Sequence, residues 1–209
     1  MLNKFLRREK GITGLETAII LIAFVVVAAV FAYTALSAGL FTTQKSQEAV
    51  YSALEEAQST MELRGSMIAT ANGTGSTARI KQLTFTVANV LGGEAIDFTP
   101  PTNGANGTST GTANKVIMNY LDKNQAIDNL YWTVSKLGKE DGDDLLEANE
   151  KFQVTIGGAA TTPGNLIDAL TPDLNVNTTF SIVVMTPVGA VLTLERTTPA
   201  YIDTIMNLR

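Results

Sequence analysis

The chain has 209 residues, 45% of them hydrophobic and 17% charged, with a formal net charge of -5, enough for one domain of ordinary size plus an additional segment. Its only basic cluster is Lys4, Arg7, Arg8 and Lys10, so no nucleic-acid partner is expected, because neutralising phosphates needs clustered Lys and Arg. Cysteine and histidine are both absent, which removes disulfides, thiolate metal sites and the usual general base near neutral pH; the expectation is a non-enzyme without metal or cofactor.

Residues 17–44 carry no formal charge. That run is about 28 residues, or roughly 42 Å of α-helix at about 1.5 Å per residue, where a bilayer core requires about 20 residues. Residues 18–32 are apolar on every face of such a helix, which places it in lipid or in a protein core. The basic residues ahead of it stay cytoplasmic and the remainder lies outside.

Three readings of this segment compete. A secretory signal peptide would use Ala35 and Ser37 as small residues before a cut, but the apolar run far exceeds the roughly 7–15 residues of such a signal's core. A permanent single span satisfies both length and charge. The third reading rests on Arg8-Glu9-Lys10-Gly11-Ile12-Thr13-Gly14-Leu15-Glu16, which sets a Gly after a basic residue and before the hydrophobic stretch.

That string resembles the class III signal of type IV pilins and archaellins. The resemblance implies cleavage between Gly11 and Ile12 by a membrane-embedded, prepilin-type aspartyl peptidase, with the apolar segment retained. Glu16 then becomes the fifth residue of the mature chain, where type IV pilins usually carry a Glu; many archaellins lack an acidic residue there. A carboxylate at the edge of an apolar helix is costly unless neutralised. Two accounts of Glu16 stand side by side: inter-subunit charge pairing with the new Ile12 amine of a neighbour, or a place at the membrane interface favoured by the helix macrodipole. The side chains expected to form the polymerisation core are Ile19, Ile20, Leu21, Ile22, Phe24, Val25, Val26, Val27, Val30 and Phe31.

Beyond Gly39-Leu40-Phe41 the chain becomes amphipathic without a strong breaker. Val50, Leu54, Ala57 and Met61 recur at helical spacing while Glu48, Glu55, Glu56 and Glu62 face elsewhere. The pattern predicts a helix from about Thr13 to Arg64, stopped by Gly65 and bent at Gly39. Phe41-Thr42-Thr43-Gln44-Lys45-Ser46-Gln47-Glu48 and Met61-Glu62-Leu63-Arg64-Gly65 resemble the stretch after the apolar helix in archaellins.

From about Ala78 short β-branched runs alternate with turn residues. Strands are expected over residues 80–87, 115–120, 130–134, 152–156, 179–185 and 190–195, half-buried by their alternation, with a hairpin turn at Pro187-Val188-Gly189. Short strands with turn-rich links favour an antiparallel sandwich, and the archaellin resemblance implies an immunoglobulin-like one. The whole is therefore an α+β chain: a signal at 1–11, a long N-terminal apolar helix at 12–64, a linker at 65–77 and an immunoglobulin-like antiparallel β-sandwich at 78–209. Thr186-Pro187-Val188-Gly189-Ala190 and Leu194-Glu195-Arg196-Thr197-Thr198-Pro199 are similar to archaellin C-termini, and the likeness is loose over residues 72–174, expected to face solvent.

Three N-x-S/T sequons occur, at Asn72, Asn106 and Asn177, a motif common by chance. The resemblance implies glycosylation, with Asn72 and Asn106 in Gly/Thr/Asn-rich loops and Asn177 bordering a strand. Residues 99–114 read as a flexible surface loop. The acidic run Lys139-Glu140-Asp141-Gly142-Asp143-Asp144 fits no EF-hand spacing and reads as solvated charge. Tyr120, Tyr131 and Trp132 read as core and hairpin packing, and no phosphate loop or nucleophile elbow is visible.

The expected function is a structural subunit of the archaellum filament, polymerising through its helix for swimming motility. The expected partners are copies of itself or other archaellins, the peptidase, an assembly ATPase with its membrane platform, and the cytoplasmic membrane before assembly. Loss of residues 1–11 leaves 11 basic and 19 acidic residues, a mature charge of about -8 suited to an exposed extracellular surface. An adhesion pilin and a single-span membrane-tethered binding domain are the alternatives.

Overall fold

The computed structural model describes residues 2–58, 60–90, 93–104, 106–139, 141–158, 164–187, 189 and 191–208, with residues 2–13 and 55–58 described as helix backbone only. The chain divides into two compact units, Met1–Ser52 and Ala53–Arg209. Helix α1 (Leu2–Gln58) dominates the first and carries the chain into the second. Strands then follow in order: β1 (Met61–Leu63), β2 (Met67–Asn72), β3 (Arg79–Asn89), β4 (Ile96–Asp97), β5 (Thr102–Asn103), β6 (Ser109–Thr110) and β7 (Ile117–Asp122). After them come β8 (Ala126–Ile127), β9 (Trp132–Gly138), β10 (Leu145–Leu146), β11 (Glu150–Ile156), the short helix α2 (Leu166–Ala169), β12 (Thr179–Met185), β13 (Leu192–Thr197) and β14 (Ile205–Leu208).

Two antiparallel sheets share one core, giving the immunoglobulin-like sandwich expected. The larger has the order β14-β2-β3-β11-β9 with β1 also on β3, and the smaller has the order β13-β12-β7-β8. Period-two burial drives the arrangement. Leu83, Phe85 and Val87 of β3, Phe152, Val154 and Ile156 of β11, and Phe180, Ile182 and Val184 of β12 all point inward and are buried. Between the sheets Phe98 meets the rings of Trp132 and Phe152 edge-on at 5.9 and 5.7 Å, an arrangement that aromatic quadrupoles favour. Tyr120 stacks on Phe180 at 5.8 Å.

β3 is the central strand. Its first half pairs with β2, its second half pairs with β1 on the same side, and β11 lines the other side. This pairing corrects the expected helix end. The helix stops at Gln58, not Arg64, because Met61, Glu62 and Leu63 pair with Asn89, Ala88 and Val87 and bury Met61 in the core. A strand partner and a buried side chain outweigh the helical spacing of Met61 with Leu54. Gly65, expected as the helix stop, serves the β1–β2 turn at φ +92°, a backbone angle that favours Gly.

The stretch 65–77, expected as a linker, holds β2. Its inward residues Met67, Ala69 and Ala71 are buried. Two alanines carry little strand signal, which is why the alternation was faint. The six strands expected in the outer domain all form, with edges shifted by a few residues. β12 and β13 pair antiparallel around the expected hairpin, whose Val188 lies outside the described residues.

One polar device fixes the β7–β8 turn. Asp122 Oδ1 accepts the backbone N–H groups of Asn124 at 2.6 Å and Gln125 at 3.0 Å, and Oδ2 accepts the Tyr120 hydroxyl at 2.7 Å. Burial pushes this carboxyl up, but the bonds from Asn124, Tyr120 and Gln125 outweigh it and hold Asp122 below the usual carboxylate value of 3.8. Burial, then Asp122, pushes the Tyr120 hydroxyl well above the usual tyrosine range. A folded-state pKa below the unfolded one gives stability that is complete above the unfolded value and lost as pH falls through the folded one. Asp122→Asn should therefore flatten the fall in stability below about pH 4, read as the unfolding midpoint of the full chain in detergent against pH.

Candidate functional site: the exposed apolar helix

The charge-free run forms uninterrupted helix through Gly39. Among the described residues this is the one helix long and apolar enough to cross a membrane, over Gly14–Leu54 with mean hydropathy reaching 2.8. The ten side chains expected to form the polymerisation core, from Ile19 to Phe31, are 56–75% exposed. None of the helix's faces is set apart as a seam. A helix so exposed all round requires an apolar surround on every side. Each such side chain stands to gain about 1.5–3 kcal/mol on leaving water.

The four threonines of the run suit such a surround. Thr34 donates its hydroxyl to Phe31 O at 2.9 Å, Thr42 to Ala38 O at 2.8 Å, and Thr43 to Gly39 O at 2.9 Å. Thr17 does the same to Gly14 O at 3.1 Å. Each hydroxyl finds an acceptor one turn back on its own helix, so it needs neither water nor a neighbour. Lys45, the first charge after the run, is paired with Glu48 at 2.6 Å. Glu16 is exposed at the opposite end and is the sole charged residue of 14–44. Gly11 and Ile12 lie in the backbone of α1, three and two residues before Gly14, where side-chain description begins.

The apolar surface also runs further than the ten residues named from sequence. Tyr33, Leu36, Leu40 and Phe41 are exposed to the same degree. Val50, Tyr51 and Leu54 extend it toward the outer domain. The signal for the first four was present in the sequence, because the uncharged run continues to Gln44.

The three sequons lie at separate places on the outer domain, each with an exposed Asn. Asn72 ends β2 opposite Arg79. Asn106 precedes Gly107, which packs so closely that an added Cβ would lie 2.5 Å from Asn165 O; the loop is anchored there while Asn106 faces out. Asn177 occupies a turn at φ +52°, beside Thr178, whose hydroxyl donates to Asn175 Oδ1 at 3.0 Å. In the acidic run, Asp141 and Asp143 accept backbone N–H groups from Asp143 and Leu145. Lys136 reaches Asp144 at 3.0 Å, and Glu140 lies outside the described residues. Tyr120 and Trp132 are fully buried, packed as the sequence suggested.

A helix apolar on every side, joined to a self-sufficient sandwich, defines a structural subunit that is completed by assembly. The comparisons agree. The family model for archaeal-type flagellin matches residues 11–196. Probable flagellin 1 of Archaeoglobus fulgidus is 38% identical over 210 residues, covering 98% of each chain. Probable flagellin 2 of the same organism is 40% identical over 203 residues, covering 94% of this chain and 93% of its own. The archaeal flagellum of Methanospirillum hungatei matches with a TM-score of 0.58 at 28% identity, covering 93% of this chain and 98% of that one. The chain belongs to the archaeal-type flagellin family. It is a non-enzymatic structural subunit of the archaellum filament, the extracellular appendage of archaeal swimming. The choice among filament and tether readings thereby falls on the archaellum, although Glu16 follows the pilin pattern.

Val26 lies in the middle of the run with no charge within nine residues on either side. A charged residue at such a position costs about 3 kcal/mol in an apolar phase. Val26→Asp is expected to abolish filaments in electron micrographs of cells, whereas Val26→Ile leaves them at wild-type number.

Proposed function

We propose a maturation route for this subunit. The precursor rests in the cytoplasmic membrane through residues 17–44, with Lys4, Arg7, Arg8 and Lys10 on the cytoplasmic side and the sandwich outside. A prepilin-type aspartyl peptidase cuts between Gly11 and Ile12. An assembly ATPase and its membrane platform then draw the helix from lipid into the base of a growing fibre, which a motor turns. The observation that carries this reading is the junction itself: basic residues and a Gly abut a run that is apolar all round and exposed throughout. The basic residues could not enter a core made of such helices without a large desolvation cost, so their removal must precede packing.

Glu16 acts in the same step. Cleavage leaves a positive amine on Ile12, and a neighbour displaced along the fibre axis presents Glu16 to it. Inside an apolar core a charge pair of this kind fixes register, and breaking it by removing one partner costs about 3–5 kcal/mol. The exposed Asn72, Asn106 and Asn177 carry N-linked glycans, supported by their accessibility and by Gly/Thr-rich surroundings at the first two.

N-terminal sequencing of subunits from purified filaments is expected to begin at Ile12. Retention of Met1 in filament material overturns the route. Glu16→Gln, which keeps size and removes charge, is expected to leave cleavage intact while lowering filament number at least ten-fold, counted by electron microscopy against cleaved subunit in the membrane fraction.

A further inference from the structure

Asparagine followed by glycine is a pair prone to react with itself. Glycine has no side chain, so its backbone nitrogen can swing close to the side-chain amide of the residue before it. The sequence has three such pairs, Asn72-Gly73, Asn103-Gly104 and Asn106-Gly107. The first and the last are each followed by Thr and so are sequons as well.

The fold treats the three pairs differently. Gly104 is buried, its N–H donates to Thr108 O at 2.9 Å, and Asn103 pairs with Ser109 across β5 and β6. The Asn103 amide is packed as well, because a Cβ added to Gly164 would lie 2.6 Å from its Nδ2. Gly107 is also buried. Its carbonyl accepts the Tyr131 N–H at 2.9 Å, and Asn165 O fills the space where a Cβ would go. Asn106 is exposed, but the backbone it would have to close onto is pinned. Asn72-Gly73 has no such restraint on its glycine side. Asn72 is the last residue of β2 and pairs with Arg79, so the bond that must turn lies at the final rung of the ladder. Gly73 follows at φ +95° with open space around it, and Asn72, Gly73 and Thr74 are all exposed. Among the described residues neither the Asn72 side chain nor the Gly73 N–H has a hydrogen-bond partner.

We propose that Asn72-Gly73 is a self-modification site, and that a sugar on Asn72 is what keeps it closed. The second half rests on the reading of Asn72 as glycosylated; the first does not. In the bare chain the Gly73 nitrogen gives up its proton to solvent and attacks Asn72 Cγ. A new N–Cγ bond closes a succinimide ring, the Cγ–Nδ2 bond breaks, and Nδ2 leaves as ammonia. Water then adds to one of the two ring carbonyls. Opening at Cγ gives Asp, and opening at the backbone carbonyl gives isoaspartate. One water is consumed and one ammonia released, with no change in oxidation state. The product has one negative charge more than the bare chain, and the isoaspartyl form adds a methylene to the backbone where β2 leaves the sheet. A glycan takes the place of one hydrogen on Nδ2, and its bulk holds the Gly73 nitrogen off. Neither product can accept an N-linked sugar, so the two fates exclude one another and the first to occur is final. Asn106 reacts more slowly and Asn103 slowest, in the order of their restraint.

Thr74→Ala separates the two fates, because it destroys the sequon and leaves Asn72-Gly73 intact. Wild-type and variant filaments are held in mildly alkaline buffer, digested with trypsin, and the peptide between Arg64 and Arg79 is read by mass spectrometry with fragmentation that distinguishes isoaspartate. Wild-type filaments are expected to carry sugar at Asn72 and no isoaspartate there. The variant is expected to accumulate isoaspartate at residue 72 at least ten-fold faster than at residue 103, and faster as pH rises. Wild-type filaments without sugar but with isoaspartate at residue 72 refute glycosylation and support the self-modification site. Bare, unreacted Asn72 in aged wild-type filaments overturns the proposal, and so does a variant whose residue 72 reacts no faster than residue 103. If the variant forms no filaments, the same comparison is made on the full chain in detergent, with the same expected order and the same overturning result.

Discussion

Apolar helix surface must leave water, and most features of this chain follow from that requirement. Residues 17–44 carry no charge, and the helix they form is exposed on every side. The isolated subunit cannot satisfy that surface itself, because its sandwich already has a complete core of its own. Burial must come from other molecules. The internal hydrogen bonds of Thr34, Thr42 and Thr43 fit the same demand: they let these three hydroxyls pass from one apolar environment to another without losing a partner. Cohesion of the fibre and solubility of its surface are thus assigned to different parts of one polypeptide.

The outer domain is built so that assembly does not depend on rearranging it. Its core is filled by Trp132, Tyr120 and four fully buried phenylalanines, and turns such as that held by Asp122 are closed by local bonds. A rigid module of this kind can vary at its surface loops while the helix stays constant in character.

Much of the architecture could be read from the residues alone, and the reasons are physical. A run of residues 18–32 without a polar side chain permits few fates. Strands such as β3, β11 and β12 declare themselves by large inward residues at every second position. Where inward residues are small, as with Ala69 and Ala71 of β2, the same geometry leaves almost no trace. The helix ends earlier than its periodicity suggests because Met61 fits two patterns at once, helical spacing with Leu54 and strand pairing with Asn89, and only the second is rewarded by burial. The exposed apolar surface continues past Phe31 through Tyr33, Leu36, Leu40 and Phe41, and its extent is written in the absence of charge up to Gln44.

The short strand β1 has a mechanical meaning. It is the first part of the outer domain, after the long helix, to be fixed by sheet hydrogen bonds, and it is fixed to β3. β3 is the longest strand, held by β2 and β1 along one side and β11 along the other. Tension or torque arriving along the backbone from a turning fibre therefore enters the sandwich at its middle instead of at a frayed border. Load spreads into neighbours on both sides before any one ladder has to bear it, so a domain with no crosslink of any kind can be swung through water without being peeled apart.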